Sequence, residues 1–192
     1  MKTFELFQTQ DPIKDIAESN NEYKVTEMID YGSFGDIFKV RTLSDNMTYA
    51  MKQIKFRKDF RSDPYIMNEL FCLTHLKHKN IILLHDIIVK DNEINLIMEY
   101  AANESLEKYL EDNADLEFHI KYKIYAQILK GVQFCHDNGV SHRDLTPSNI
   151  LLTDELVVKI ADFGLAVKCF EGTKESFVLR FMSYVLPLNS YV

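Results

Sequence analysis

Cysteine is scarce and does not pair. Cys72, Cys135 and Cys169 are odd in number and show no C-x-x-C spacing, which argues against a disulfide framework and a cysteine-rich zinc site. A reducing compartment, cytoplasm or nucleus, is the expected setting. An excess of positive charge is also missing: 22 Lys and Arg stand against 29 Asp and Glu, a formal net charge of -7. A long nucleic-acid or anionic-membrane footprint needs a dominant basic face, so neither partner is expected. The longest apolar run, Ile81 to Val89, contains His85 and Asp86, and it is too short to span a bilayer. Met1 to Gln10 lack the basic start and apolar core of a signal peptide. Glycine and proline are few and there is no low-complexity tract or internal repeat. With 46% hydrophobic and 27% charged residues the composition is that of a folded chain rather than a disordered one. Its 192 residues suffice for one ordinary domain or two small lobes around a real core.

The patterning changes character along the chain. Residues 1–21 are polar and weakly patterned and read as an N-terminal extension. Tyr23 to Ile29, Asp36 to Arg41 and Thr48 to Ile54 are short β-favouring runs separated by turn-forming stretches, as in an antiparallel meander. Asp63-Pro64 then supplies an N-cap and a first-turn proline, and Ile66, Leu70, Leu73 and Leu76 follow at helical spacing toward Lys77. Ile81 to Val89 and Glu93 to Tyr100 read as two further strands of the same sheet. From Ser105 the period becomes helical: Leu106 and Leu110 open a short helix. Ile120, Ile124, Ile128, Val132 and Cys135 line one face of a long one that Asn138-Gly139 closes. Residues 101–104 are the natural hinge between the two patterns.

Several blocks within this frame carry chemistry. Ile29-Asp30-Tyr31-Gly32-Ser33-Phe34-Gly35-Asp36-Ile37 reads as a hairpin turn whose two glycines leave the backbone bare. In Tyr49-Ala50-Met51-Lys52, period-two alternation sets a small residue and a cation on one strand face. Glu69 lies one helical turn from Ile66, at the edge of the expected buried stripe. Leu96-Ile97-Met98-Glu99-Tyr100-Ala101 leads into the hinge, His142-Arg143-Asp144-Leu145-Thr146-Pro147-Ser148-Asn149 follows the long helix, and Ile160-Ala161-Asp162-Phe163-Gly164 comes next. In this order and spacing the blocks resemble the eukaryotic protein kinase family, serine/threonine type, from about Tyr23 to Ala166.

The resemblance implies an α+β, protein-kinase-like fold: a five-stranded antiparallel N-lobe with one helix over residues 22–100, the hinge at 101–104, and a partial, mainly helical C-lobe over 105–167. It implies transfer of the ATP γ-phosphate to a protein hydroxyl, with ATP and magnesium as cofactors and a protein as partner. Asp144 is then the residue that orients the acceptor hydroxyl, and Lys52 and Glu69 form the phosphate-binding pair. Ile29, Gly32, Ser33, Phe34, Gly35, Ile37, Ala50, Met98, Glu99, Ala101 and Leu151 surround the nucleotide together with Lys52. Asn149 and Asp162 hold the metal.

Three departures qualify this. Asp30 stands where the family has its first glycine. Thr146 replaces the lysine usual in serine/threonine kinases, but neither tyrosine-kinase pattern is present, so Ser or Thr remains the expected acceptor. After Val167 the sequence diverges and no Ala-Pro-Glu follows, so residues 168–192 read as a divergent tail. Without the rest of the lower lobe, the helix from Glu117 to Asn138 is expected to show an apolar face open to a partner. The rival expectation is a catalytically inactive fragment that binds nucleotide or a partner.

Overall fold

The computed structural model describes residues 22–32, 35–57 and 59–168. Its upper layer is one antiparallel sheet of β1 (Tyr23–Gly32), β2 (Gly35–Thr42), β3 (Thr48–Lys55), β4 (Leu84–Lys90) and β5 (Glu93–Glu99), in the order β1-β2-β3-β5-β4. Period-two alternation gives this sheet two different faces. Ile94, Leu96 and Met98 of β5 join the main core on one side, whereas Val40, Met51 and Ile97 form a small separate cluster on the other. The β1–β2 register pairs Met28 with Phe38 and Asp30 with Ile37, leaving Ile29 as the extra residue of a bulge.

Helix α1 (Pro64–His75) packs on the inner face. The Asp63 carboxylate accepts the Tyr65 amide at 2.9 Å, and Pro64 stands where a missing N–H does no harm. The helix stops two residues before Lys77. That side chain instead returns its ammonium to the Leu73 carbonyl at 2.9 Å, where the negative end of the helix favours it.

The apolar run expected as one strand from Ile81 is divided. Only Leu84 onward enters β4. Ile81 and Ile82 face the lower lobe: the Ile82 amide donates to the Ile160 carbonyl and the Ile160 amide to the Asn80 carbonyl, both at 2.9 Å. Hydrophobicity alone cannot separate a strand from a buried connector of equal apolarity.

The C-lobe residues comprise α2 (Leu106–Asp112), α3 (Phe118–Asp137) and two short ladders. β6 (Val140–Ser141) pairs with β9 (Val167–Lys168), and β7 (Ile150–Leu152) with β8 (Val158–Ile160). This is the α+β arrangement expected, with a sheet-and-helix lobe above and a mainly helical lobe below. In α3, Ile124, Ile128, Val132 and Cys135 are buried and Ile120 is half-buried, so the stripe read from the sequence packs inward. The exposed apolar groups are Phe118 and Tyr122, one turn apart at its start. One continuous core runs from Leu70 and Leu96 through Ile81 and Ile82 to Ile128, Ile150, Ile160 and Phe163. No helix among the described residues is long and apolar enough to cross a membrane.

Candidate active site

Three charged groups from three elements meet between the lobes. Lys52 on β3 donates to both carboxylate oxygens of Glu69 on α1, at 2.7 and 2.8 Å, and to Asp162 Oδ1 at 3.1 Å. Lys52 and Glu69 are almost fully buried, while the Asp162 side chain keeps 29% of its exposure. Burial works against the Lys52 ammonium, but the two carboxylates outweigh it and hold its pKa above the ordinary value. Burial also lifts the Glu69 carboxyl above its usual range, against the pull of Lys52. The raised Lys52 keeps its proton, and with both oxygens of the Glu69 carboxylate within 2.8 Å of its ammonium the pair is in its ionised form.

The loop after α3 is built around the backbone of Ala161. The His142 ring donates from Nε2 to the Ala161 carbonyl at 2.9 Å, and its Nδ1 accepts the Asp144 amide at 3.3 Å. Burial lowers the His142 pKa, so the ring stays neutral in this tautomer. From the other side the Ala161 amide donates to the Asn149 carbonyl at 3.0 Å. Asn149 Nδ2 in turn donates to the Asp144 carbonyl at 2.8 Å and its carboxylate at 2.9 Å. Asp144, Asn149 and Asp162 are thus fixed relative to one another through the two backbone groups of one residue, Ala161. Arg143 and Asp162 both hold left-handed backbone angles, with φ of +66° and +61°, a conformation costing about 1 kcal/mol or more for such residues and concentrated at functional sites. The buried Phe163 side chain anchors the turn, with its ring against His142 at 4.6 Å.

The sequence-expected pocket residues fall into rows. Register pairs Ala50 with Met98, and Lys52 with Ile37 and Leu96, so Ile37, Ala50, Lys52 and Met98 share the inner sheet face. Gly32 pairs with Gly35 at the hairpin tip. Gly35 has φ of +128°, and a Cβ there would lie 2.7 Å from the Gln53 carbonyl oxygen, so only glycine fits. Ser33 and Phe34 lie outside the described residues. Ile29 is the bulge residue and remains 40% exposed. The connector after Ala101 is tied to β7, beside Leu151. The Asn103 amide donates to the Leu152 carbonyl at 3.0 Å and its side chain to the Thr153 carbonyl at 2.7 Å. Leu151 itself bridges to Ser105.

Glu99 does more than its motif suggests. Its amide donates to the Leu83 carbonyl at 2.9 Å, its Oε1 accepts the Leu83 amide at 2.7 Å, and its Oε2 lies 2.8 Å from Lys159 Nζ on β8. Sequence reasoning missed Lys159 and Asn103, because neither belongs to a motif block.

The oxygen donors suit a hard divalent cation. Asn149 uses its amide nitrogen on Asp144, leaving its side-chain oxygen as the acceptor, and Asp162 adds a partly exposed carboxylate. An anion would meet Lys52 beside them. Fold and site together have the layout of a phosphotransfer domain. The sequence matches the family model described as the protein kinase domain over residues 23–187, beyond the Ala166 at which the recognisable motifs end. The chain belongs to the protein kinase family.

Proposed function

We propose that this chain is a serine/threonine protein kinase that transfers the γ-phosphoryl group of ATP to a protein hydroxyl with magnesium. The observation that carries the reading is the Lys52–Glu69–Asp162 cluster, held against the Asp144–Asn149 pair through Ala161. Phosphoryl transfer depends chiefly on positioning and charge stabilisation. Lys52 is the cation for the nucleotide phosphates, and Glu69 holds it in place. Asn149 and Asp162 would hold magnesium, whose chemistry is to screen the phosphate charge. Asp144, kept in orientation by Asn149, would accept the proton of the acceptor hydroxyl. Ile37, Ala50, Met98 and Leu151 would enclose the adenine, with the backbone of Glu99 and Ala101 at its edge. Of those groups the Glu99 amide is already bonded to Leu83.

A second reading has its own support. The hydroxyl of Thr146 is shared with Ser148 at 2.8 Å, and a hydroxyl brings no positive charge to the place where serine/threonine kinases usually have lysine. Under this reading the chain binds nucleotide without transferring phosphate. Incubation of the purified chain with radiolabelled magnesium-ATP and a library of serine, threonine and tyrosine peptides separates the two. Label on serine or threonine that disappears in Asp144→Asn, with nucleotide binding retained, supports the kinase. Binding without label supports the second reading, and label on tyrosine alone overturns the acceptor assignment.

A further inference from the structure

We infer that Asp30 is an internal competing anion at the phosphate end of the nucleotide site, which weakens the chain's hold on charged nucleotides. The inference rests on the nucleotide-binding reading above and adds a determinant that the motif pattern leaves out.

The bulge at Ile29 is what aims Asp30. Past it, Asp30 pairs with Ile37, which pairs with Lys52. Residues directly opposite on neighbouring strands share a face, so Asp30 lies on the face from which Lys52 reaches Glu69 and Asp162. Two strand spacings separate the backbones of Asp30 and Lys52, about 10 Å. Without the bulge Asp30 would change faces, since a shift of one residue inverts a strand.

Its carboxylate is also engaged. Asp30 Oδ1 accepts the Tyr31 amide at 2.7 Å, occupying one amide of a hairpin whose role is to offer bare backbone to phosphates. The hairpin's other acid is balanced differently. Asp36 pairs with Tyr31, hence on the opposite face, with its carboxylate 4.0 Å from Lys55. Among the described residues, no cation is paired with Asp30. Asp30 is exposed to solvent, so a phosphate entering under the hairpin would meet a water-screened negative charge with no paired cation, and an amide already in use.

The penalty scales with ligand charge, and that separates it from a steric effect. Asp30→Asn keeps the size and the acceptor oxygen for the Tyr31 amide while removing the charge. By calorimetric titration, Asp30→Asn should bind magnesium-ADP about fivefold more tightly than wild type, the effect of one unit charge about 4 Å away in water. Uncharged adenosine should bind both proteins equally. An unchanged magnesium-ADP affinity overturns the inference, as does equal tightening of adenosine, which would mark a change of shape instead. Adenosine binding by wild type with no response of magnesium-ADP to the substitution refutes Asp30 alone. Binding of neither ligand to either protein refutes the nucleotide reading and the inference with it.

Discussion

Glu99 and Lys159 join the lobes directly: the end of β5 is linked to β8, two residues before the Ala161–Asp162 turn, by a 2.8 Å ion pair with side-chain exposures of 21% and 13%. The second carboxylate oxygen holds the Leu83 amide, so the pair closes a ring of contacts behind the connector. Lys159→Ala leaves a half-buried carboxylate with one partner and should lower unfolding stability by about 1–2 kcal/mol, between the values for exposed and fully buried pairs. Lys159→Arg should recover most of the loss. Denaturant titration of the three proteins checks this; coincident midpoints would show that the contact contributes nothing.

His142 makes stability depend on pH. Its folded-state pKa is lowered from the ordinary 6.5 by burial, against the opposing pull of the Ala161 carbonyl, Asp162 and Asp144. Above 6.5 the ring is neutral in both states and its contribution is complete. As pH falls toward the lowered folded value, the unfolded chain takes up a proton that the folded ring refuses, and stability is lost. Denaturation midpoints between about pH 7.5 and about pH 5.5 should fall less steeply for His142→Gln than for wild type. His78 and His85, also lowered first by burial, leave a residual slope. Parallel curves would refute the assignment.

Gly131 lies buried inside α3, where glycine ordinarily weakens a helix by about 1 kcal/mol relative to alanine. Here a Cβ would stand 2.7 Å from the Ile160 side chain and 3.0 Å from the Asn80 carbonyl. Gly131→Ala should therefore destabilise the protein by about 1–3 kcal/mol through overpacking, despite its better helix propensity. A higher melting temperature in the variant would show that α3 can move away from β8 at little cost.

Much of this architecture could be read from the sequence, and the omissions have a common cause. Alternation located β1 to β3 and β5, and the Asp63-Pro64 pair located the start of α1, because both signals are local. Lys52, Glu69, Asp144, Asn149 and Asp162 were found through ordered motifs, and the structure brings them together. Periodicity reports which face a residue occupies but says nothing of its partner across the fold. Ile81 and Ile82 therefore looked like strand while belonging to a bridge with Ile160, nearly eighty residues away. The bulge at Ile29 was hidden for a related reason: it is a property of the register between two strands, and neither strand's own sequence reveals it. Glu99 was assigned through its backbone, while its carboxylate is committed to two partners that lie outside every motif.

The continuous core has a consequence for how the molecule comes apart. Because the Asn80 carbonyl and the Ile82 amide are hydrogen-bonded to Ile160 of the lower lobe while Ile81 and Ile82 belong to the same apolar cluster as Leu70 and Leu96, the lobes share one cooperative unit. Amide protons of β5 and of β8 should then exchange through the same global opening, and a polypeptide cut at the connector would expose half of a shared interior on each piece.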